Sequence, residues 1–350
     1  MKAKKWIKIF ILLSISIGIF IGTINYIVDP LWTFSHTNKF NLKQEGFDER
    51  QQKTNYIFNR GLNNCEGILL GSSRATFINQ NDFQNMNIYN YSSAALMPME
   101  YKGYIDFAKK IKGKEFKYII IGSDFFGTNA LKKNILNSEF YINNSENPFY
   151  KYKMLFSIHT LKKSLHSIKY SIFGSPQYYD RNNVKNQIKI SEAERIIKFN
   201  RNIKKHTSDL SNDNYKYNDD YINILKEIKN DNPNTKFIIF TSAITADLLV
   251  SIVKNDEREG EYERWLKELV DIFGEVNHFM TVNSVTKNLQ NYPDDDHAYP
   301  NIVKLIANKL SNTQNSEIPT DFGILLTKEN IDSQVIDIKK QINNYAVMKK

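Results

Sequence analysis

Short apolar runs separated by helical stretches constrain this chain more than anything else in its sequence. Glu66-Gly-Ile-Leu-Leu-Gly71 and Lys117-Tyr-Ile-Ile-Ile-Gly122 show no polar alternation, so both faces of each strand must be covered, the pattern of buried parallel strands that end in loops. Asn87-Ile-Tyr-Asn-Tyr91 reads as a shorter strand between them. Beyond Pro98, Tyr101, Tyr104, Ile105, Ala108 and Ile111 fall at helical spacing. The alternation returns further on: a helix on Tyr221, Ile224, Leu225 and Ile228, a strand over Lys236–Thr241, a helix striped by Tyr262, Trp265, Leu266, Leu269, Val270 and Phe273 and capped by Gly274, a strand over Val276–Val282, and a helix on Ile302, Leu305, Ile306 and Leu310. This order predicts an α/β fold of three layers, α/β/α, around a parallel sheet, with reactive groups on loops at the carboxyl ends of the strands.

Ahead of this domain, Ile9–Val28 runs uncharged for about twenty residues, enough to cross a hydrocarbon core of about 30 Å. Lys2, Lys4, Lys5 and Lys8 precede it and predict a cytoplasmic start with the rest of the chain outside. A cleaved signal peptide is the rival reading, but the run is long for one and ends at Tyr26-Ile-Val-Asp-Pro30 without small residues at a cleavage site. The expected organisation is an anchor over 1–30, a juxtamembrane connector over 31–61, the α/β domain over 62–312 and an extension over 313–350 holding a strand (Phe322–Leu326) and a helix. Between about 125 and 217 the alternation lapses, which predicts a helical insertion. Within it Met154, Leu155, Ile158, Leu161, Leu165 and Ile168 alternate with Lys162, Lys163 and Lys169, either an amphipathic helix packed on the core with a solvated basic face or a surface for anionic lipid or glycan.

The net charge of +9 draws on those first lysines and on Lys349 and Lys350 at the end, so it does not point to nucleic acid; zinc spacings, phosphate-binding glycine loops and RNA-binding signatures are absent. A single cysteine, Cys65, excludes an internal disulfide framework. Nothing in the sequence demands a metal or a cofactor.

Nucleophilic catalysis by serine needs an exposed hydroxyl on a tight turn, an imidazole to take its proton and a carboxylate to hold the imidazole. Gly71-Ser72-Ser73-Arg74 follows the first core strand, and Asp294-Asp-Asp-His297 lies between the last core strand and the last core helix. Each motif alone is weak, since Ser73 is also a fit helix cap and the three aspartates also read as a solvated turn; their value is that both fall at one sheet edge. Spacing favours Asp294 as the partner of His297, although the density of carboxylates leaves Asp295 and Asp296 in play. His159, His166 and His206 in the insertion, and His36 in the connector, read as structural or surface residues, and His278 as a packed strand residue.

With these motifs the chain resembles the SGNH-hydrolase superfamily, in particular its anchored extracytoplasmic branch, which includes the D-alanyl transfer proteins of teichoic acid synthesis and the polysaccharide O-acetylation proteins. The resemblance spans roughly 66–124 and 236–310. It implies Ser73 as nucleophile, with Asp294 and His297 completing a triad. It places Asn90-Tyr-Ser92 at the second block, which implies that the Ser92 backbone N–H serves the oxyanion hole. At the third block Gly122-Ser123-Asp124 departs from the usual G-x-N-D. An ionised carboxylate cannot donate to an oxyanion as an asparagine amide does, and loss of one such donor costs about 2.7–4 kcal/mol in other enzymes. Asp124 is then left to be protonated, to bind a cationic or hydroxyl group of substrate, or to point away. Arg74 reads either as an anchor for an anionic substrate group or as a salt bridge that shapes its loop. The resemblance further implies an esterase or O-acyltransferase acting on an acyl ester and a cell-envelope polysaccharide or polymer, with a multi-spanning membrane O-acyltransferase as partner; the alternative is an inactive scaffold of the same fold that binds glycan or that partner.

Overall fold

A computed structural model of the chain describes residues 2–132, 137–211, 213–255, 257–313 and 315–348. Lys349 and Lys350, and a few residues of the expected insertion, lie outside the described residues. The chain forms two compact units, one of residues 1–62 and 137–186 and the other of 63–136 and 187–350.

The described strands are β1 (Gly67–Gly71), β2 (Ile88–Asn90), β3 (Tyr118–Ser123), β4 (Gln177–Tyr179), β5 (Lys185–Gln187), β6 (Lys236–Thr241), β7 (Glu275–His278) and β8 (Ile324–Thr327). In the second unit six of them form one sheet in the order β2-β1-β3-β6-β7-β8, parallel except for β8, which runs antiparallel to β7. The expected α/β class with a mostly parallel sheet is what forms. Burial explains the apolar runs: Leu69, Ile120, Ile238 and Phe240 join the core beneath the helix Pro300–Leu310, while their neighbours Ile68, Leu70, Ile119, Ile121 and Ile239 point to the opposite face and are equally buried. That opposite face is covered by the helices Pro98–Lys112, Tyr221–Asn230 and Glu259–Phe273.

Strand order reverses at β1, flanked by β2 on one side and β3 on the other, so a crevice opens outside the carboxyl ends of β1 and β3. Two glycines let the strand ends approach there. Gly71 pairs with Gly122; a Cβ on Gly71 would sit 2.7 Å from the Ala75 Cβ, and one on Gly122 would sit 2.7 Å from the Phe240 ring.

Three boundaries differ from expectation. The extension expected over 313–350 belongs to the sheet unit, because β8 pairs with β7 as the edge strand. The strand expected over Val276–Val282 ends at His278, because Thr241 Oγ1 accepts from the Phe279 and Met280 amides (3.0 and 3.2 Å) and turns the chain out of the ladder. The expected insertion, 125–217, falls into both units: 137–186 belongs with the N-terminal residues, whereas the helix Glu192–Asp209 and the segment with Tyr215 and Tyr217 belong to the sheet unit. Tyr215 stacks on Phe125 and hydrogen-bonds Thr128, which ties that segment to the loop after β3.

In the first unit, the helix Lys2–Val28 is long and apolar enough to cross a membrane, and its apolar stretch is almost wholly exposed. Residues 31–61 are more than a connector. Asp29 receives Arg181 at 2.7 Å and the amides of Thr33 and Phe34, and Glu49 pairs with Lys185 at 2.8 Å, so buried polar bonds lock the turn after the long helix to the helix Glu49–Arg60 and the β4–β5 hairpin. Burial opposes ionisation of Glu49, but Lys185 and Lys53 outweigh it and hold the carboxyl at about 2. The amphipathic segment breaks at Phe156–Ser157 into helices Tyr150–Leu155 and Ile158–Phe173. The face it buries is small and polar, Thr160, Ser164 and Ser167, and not the apolar stripe.

Candidate active site

Ser73 is placed by β1. The strand ends at Gly71, Ser72 caps a one-turn helix Ser73–Thr76, and Ser73 is its first helical residue, half-buried at the crevice. Its Oγ lies 2.8 Å from Nε2 of His297. The histidine comes from the loop before the helix Pro300–Leu310. There Asp294 Oδ1 accepts from the Asp296 and His297 amides (3.1 and 2.8 Å), a local turn that short acidic side chains favour. The loop is pinned to the end of β6, since the Thr245 amide and hydroxyl both donate to the Asp295 carbonyl (3.1 and 2.8 Å).

Two carboxylates face the other ring nitrogen. His297 Nδ1 is 3.0 Å from Asp294 Oδ2 and 2.8 Å from Asp296 Oδ1. Burial works against charge on the imidazole, but Asp296 and Asp294 outweigh it and raise the group from its ordinary value near 6.5 to about 10. Asp296 is likewise disfavoured as an anion by burial, yet His297 and Arg74 hold it well below the usual carboxylate range. The arrangement therefore favours an ion pair at neutral pH, with the imidazolium donating to Ser73.

Arg74 and Asp124 form the floor. The guanidinium spans two acids, with Nη1 3.2 Å from Asp124 and Nη2 and Nε at 3.1 and 3.2 Å from Asp296. Asp124 also accepts a hydrogen bond from Ser72 Oγ. Asp124 thus points into an internal ion pair, which answers what its carboxylate does in place of the expected asparagine. Of the two readings of Arg74, the loop-shaping salt bridge is the one formed.

The oxyanion role expected of Ser92 is not offered by this geometry. Ser92 is fully buried and its N–H donates to Asn90 Oδ1 at 3.0 Å, while Asn90 Nδ2 donates to the Ala75 and Ile78 carbonyls (2.9 and 2.8 Å). Asn90 and Ser92 therefore brace the turn that carries Ser73. At the site itself, the Ser73 N–H stands in a first turn where helices leave amides without an internal acceptor.

His206 is the residue that sequence reasoning placed elsewhere. It reaches the site from the helix Glu192–Asp209, with Nδ1 2.7 Å from Asp295 Oδ2 and Nε2 3.7 Å from Asp296. Burial raises the Asp295 carboxyl, and the hydrogen bond from His206 counters it. The usable signal was the spacing of Asn202, Lys205, His206 and Asp209, one helix face, all of which line the cavity of about 310 Å³ beside Ser73. The cavity's other wall is apolar, formed by Leu210, Ile244, Leu248, Ile252 and Met280.

Two overlapping sets, His206 with Asp295 and Asp296, and Asp294 with Asp296 and His297, bring ligand atoms within 4.8 Å of one another. Both share Asp296, whose outer oxygen already receives Arg74, so a metal ion would compete with that guanidinium. The remaining histidines are unlike these: His278 is fully buried between Thr241 (2.9 Å) and Tyr262 (2.7 Å), and burial lowers it to about 3.

Fold and site together define an α/β protein with a serine hydrogen-bonded to an imidazole, which is hydrogen-bonded in turn to Asp294 and ion-paired with Asp296, at a strand-order reversal. No family profile matches the chain, and no curated protein does either.

Proposed function

We propose that the chain is an anchored extracytoplasmic enzyme of the SGNH type that carries out acyl-ester chemistry from Ser73. The observation that carries this reading is the 2.8 Å contact between Ser73 Oγ and His297 Nε2, with Asp294 and Asp296 on Nδ1. In the reactive form His297 is neutral with its proton on Nδ1. Ser73 Oγ attacks the acyl carbonyl carbon and passes its proton to Nε2; the tetrahedral intermediate expels the alcohol or thiol, which takes that proton. The acyl group is then transferred to water, as in an esterase, or to a sugar or polyol hydroxyl, as in an O-acyltransferase: His297 takes the acceptor's proton, the bond to Ser73 Oγ breaks, and that proton returns to Oγ. The Ser73 N–H is the donor best placed for the developing oxyanion, and the apolar cavity wall suits the hydrocarbon part of an acyl group.

The apolar helix supports anchoring, and the lysines before it support an extracytoplasmic domain. Such a domain is held beside envelope polymers and beside a multi-spanning acyl-donor partner, which favours transfer over hydrolysis. A second reading, a scaffold of the same fold that binds glycan or that partner, is favoured by the Ser92 N–H and the Asp124 carboxylate, which leave the oxyanion hole short of donors.

The test is labelling of the full chain in detergent by a fluorophosphonate probe. Ser73 is expected to be modified, with labelling abolished in Ser73→Ala and reduced at least a hundredfold in His297→Ala. A folded wild type that does not label at any pH up to 10 overturns the enzyme reading in favour of the scaffold.

A further inference from the structure

The helix Ile158–Phe173 has three distinct lines of residues, and only one is accounted for by packing. Thr160, Ser164 and Ser167 are buried. Against them lies the end of the long apolar helix: Ser164 donates to Asn25 Oδ1 at 2.8 Å, and Asn25 Nδ2 donates to the Leu155 and Ser157 carbonyls (2.8 and 3.1 Å). A Cβ on Gly22 would sit 3.1 Å from the Phe156 ring. The contact therefore covers the last two turns before Val28.

The second line is apolar. Ile158, Leu161, Leu165, Ile168 and Ile172 recur at alternating intervals of three and four, yet Ile158, Leu165 and Ile172 are 64%, 51% and 57% exposed. Phe149 and Phe156, just before this helix, are exposed as well. The third line holds Lys162 and Lys169, both exposed, beyond the apolar stripe on the side away from the buried line.

We infer that this apolar face lies in the outer boundary of the bilayer that the helix Lys2–Val28 crosses, so that Phe149–Phe173 forms a membrane-embedded shelf around the emerging anchor. The inference rests on the reading of Lys2–Val28 as a membrane span. At 3.6 residues per turn the apolar stripe is centred roughly 100° round the helix from the buried line. A helix lying in the membrane plane against a crossing span needs about that angle: one face turned sideways to the span, the next turned down to the acyl chains. The contact on Gly22 and Asn25 sets the depth, since about six residues from Val28 correspond to roughly 9 Å, within the 5–10 Å that interfacial helices penetrate. Lys162 and Lys169 then border the lipid face, where their stems can stay apolar and their ammonium groups reach anionic headgroups. Packing lengthwise beside the span would carry both lysines into hydrocarbon. The helix packs directly against the anchor, whose own apolar side chains, such as Leu13, Ile17 and Phe20, are exposed for lipid, and that makes lipid the occupant of the neighbouring apolar face as well.

The experiment uses the full chain with Cys65→Ser, reconstituted into phosphatidylcholine–phosphatidylglycerol vesicles and labelled with bimane at Ile15→Cys, Leu165→Cys, Ile172→Cys or His166→Cys, all exposed positions. The Ile15 label should be quenched best by lipids with a nitroxide at mid-chain. The Leu165 and Ile172 labels should be quenched best by lipids with the nitroxide near the headgroup, and be several-fold less accessible to aqueous iodide than the His166 label. A deep Ile15 label with Leu165 and Ile172 as open to iodide as His166 overturns the shelf while leaving the span intact. An Ile15 label that lipid nitroxides do not reach overturns the span, and the shelf with it.

Discussion

Neutralising Asp296 should speed the reaction of Ser73 at neutral pH. His297 must be unprotonated to take the serine proton, but Asp296 at 2.8 Å and Asp294 at 3.0 Å from Nδ1 raise the imidazole to about 10. Three units below that value only about one molecule in a thousand has the neutral ring. The rate of fluorophosphonate labelling should therefore climb about tenfold per pH unit from 6 and level off near 10. One carboxylate in contact moves a neighbouring pKa by about 1–3 units. Asp296→Asn leaves Asp294 on Nδ1 and should displace the whole limb downward by that amount. About half of the logarithmic gain at pH 7 is returned, because a less basic imidazole pulls the proton less strongly, so a net increase of roughly 3- to 30-fold is expected. The same charges shape stability. The raised imidazole contributes fully below pH 6.5 and loses its contribution as pH climbs through about 10, whereas the lowered Asp296 contributes above its ordinary value and loses its share as pH falls. A wild-type limb centred near 6.5, or one that does not move in a folded Asp296→Asn protein, would refute the claim that these acids set the base.

Four further outcomes follow from the geometry. Gly122→Ala should lower thermal stability by about 1–3 kcal/mol and reduce Ser73 labelling, because its methyl would meet the Phe240 ring at 2.7 Å. Asn90→Ala should cost about 1–3 kcal/mol in urea unfolding and reduce the rate of labelling, since the Ala75 and Ile78 carbonyls that hold the Ser73 turn lose their donor. His278 is held near 3 by burial, so unfolded chains take up a proton that the folded chain refuses; urea midpoints should fall as pH drops from 6.5 towards 3, with a shallower slope in His278→Gln. His206→Gln removes the imidazole that hydrogen-bonds the Asp295 carboxylate and should lower the labelling rate severalfold without abolishing it, while unfolding midpoints show that the fold persists.

What could be read from the sequence follows the range of the interactions involved. Apolar strands ended by glycine, such as Ile68–Gly71 and Ile119–Gly122, report their own burial, so the sheet and the loops at its edge were visible in them. Ser73, Asp294 and His297 were legible because those loops carry them to one edge. Ser92 was not: its neighbour Asn90 has a side chain long enough to turn back on the Ser92 amide, a choice between solvating an oxyanion and bracing a turn that no spacing reveals. His206 and the stripe on 158–172 were obscured for a common reason. Each sits on an amphipathic helix whose polar and apolar lines are plain, but periodicity cannot say which line faces the protein. In Ile158–Phe173 the buried line is the small residues Thr160, Ser164 and Ser167, with Ser164 hydrogen-bonded to Asn25 as a leucine could not be. That inversion leaves apolar side chains to seek another solvent. In Glu192–Asp209 a histidine on the polar line meets Asp295, whose buried carboxylate has more need of a donor than water-exposed groups do. Both cases reduce to one requirement: a buried polar atom recruits its partner, and the partner's helix turns whatever else it carries towards the remaining medium.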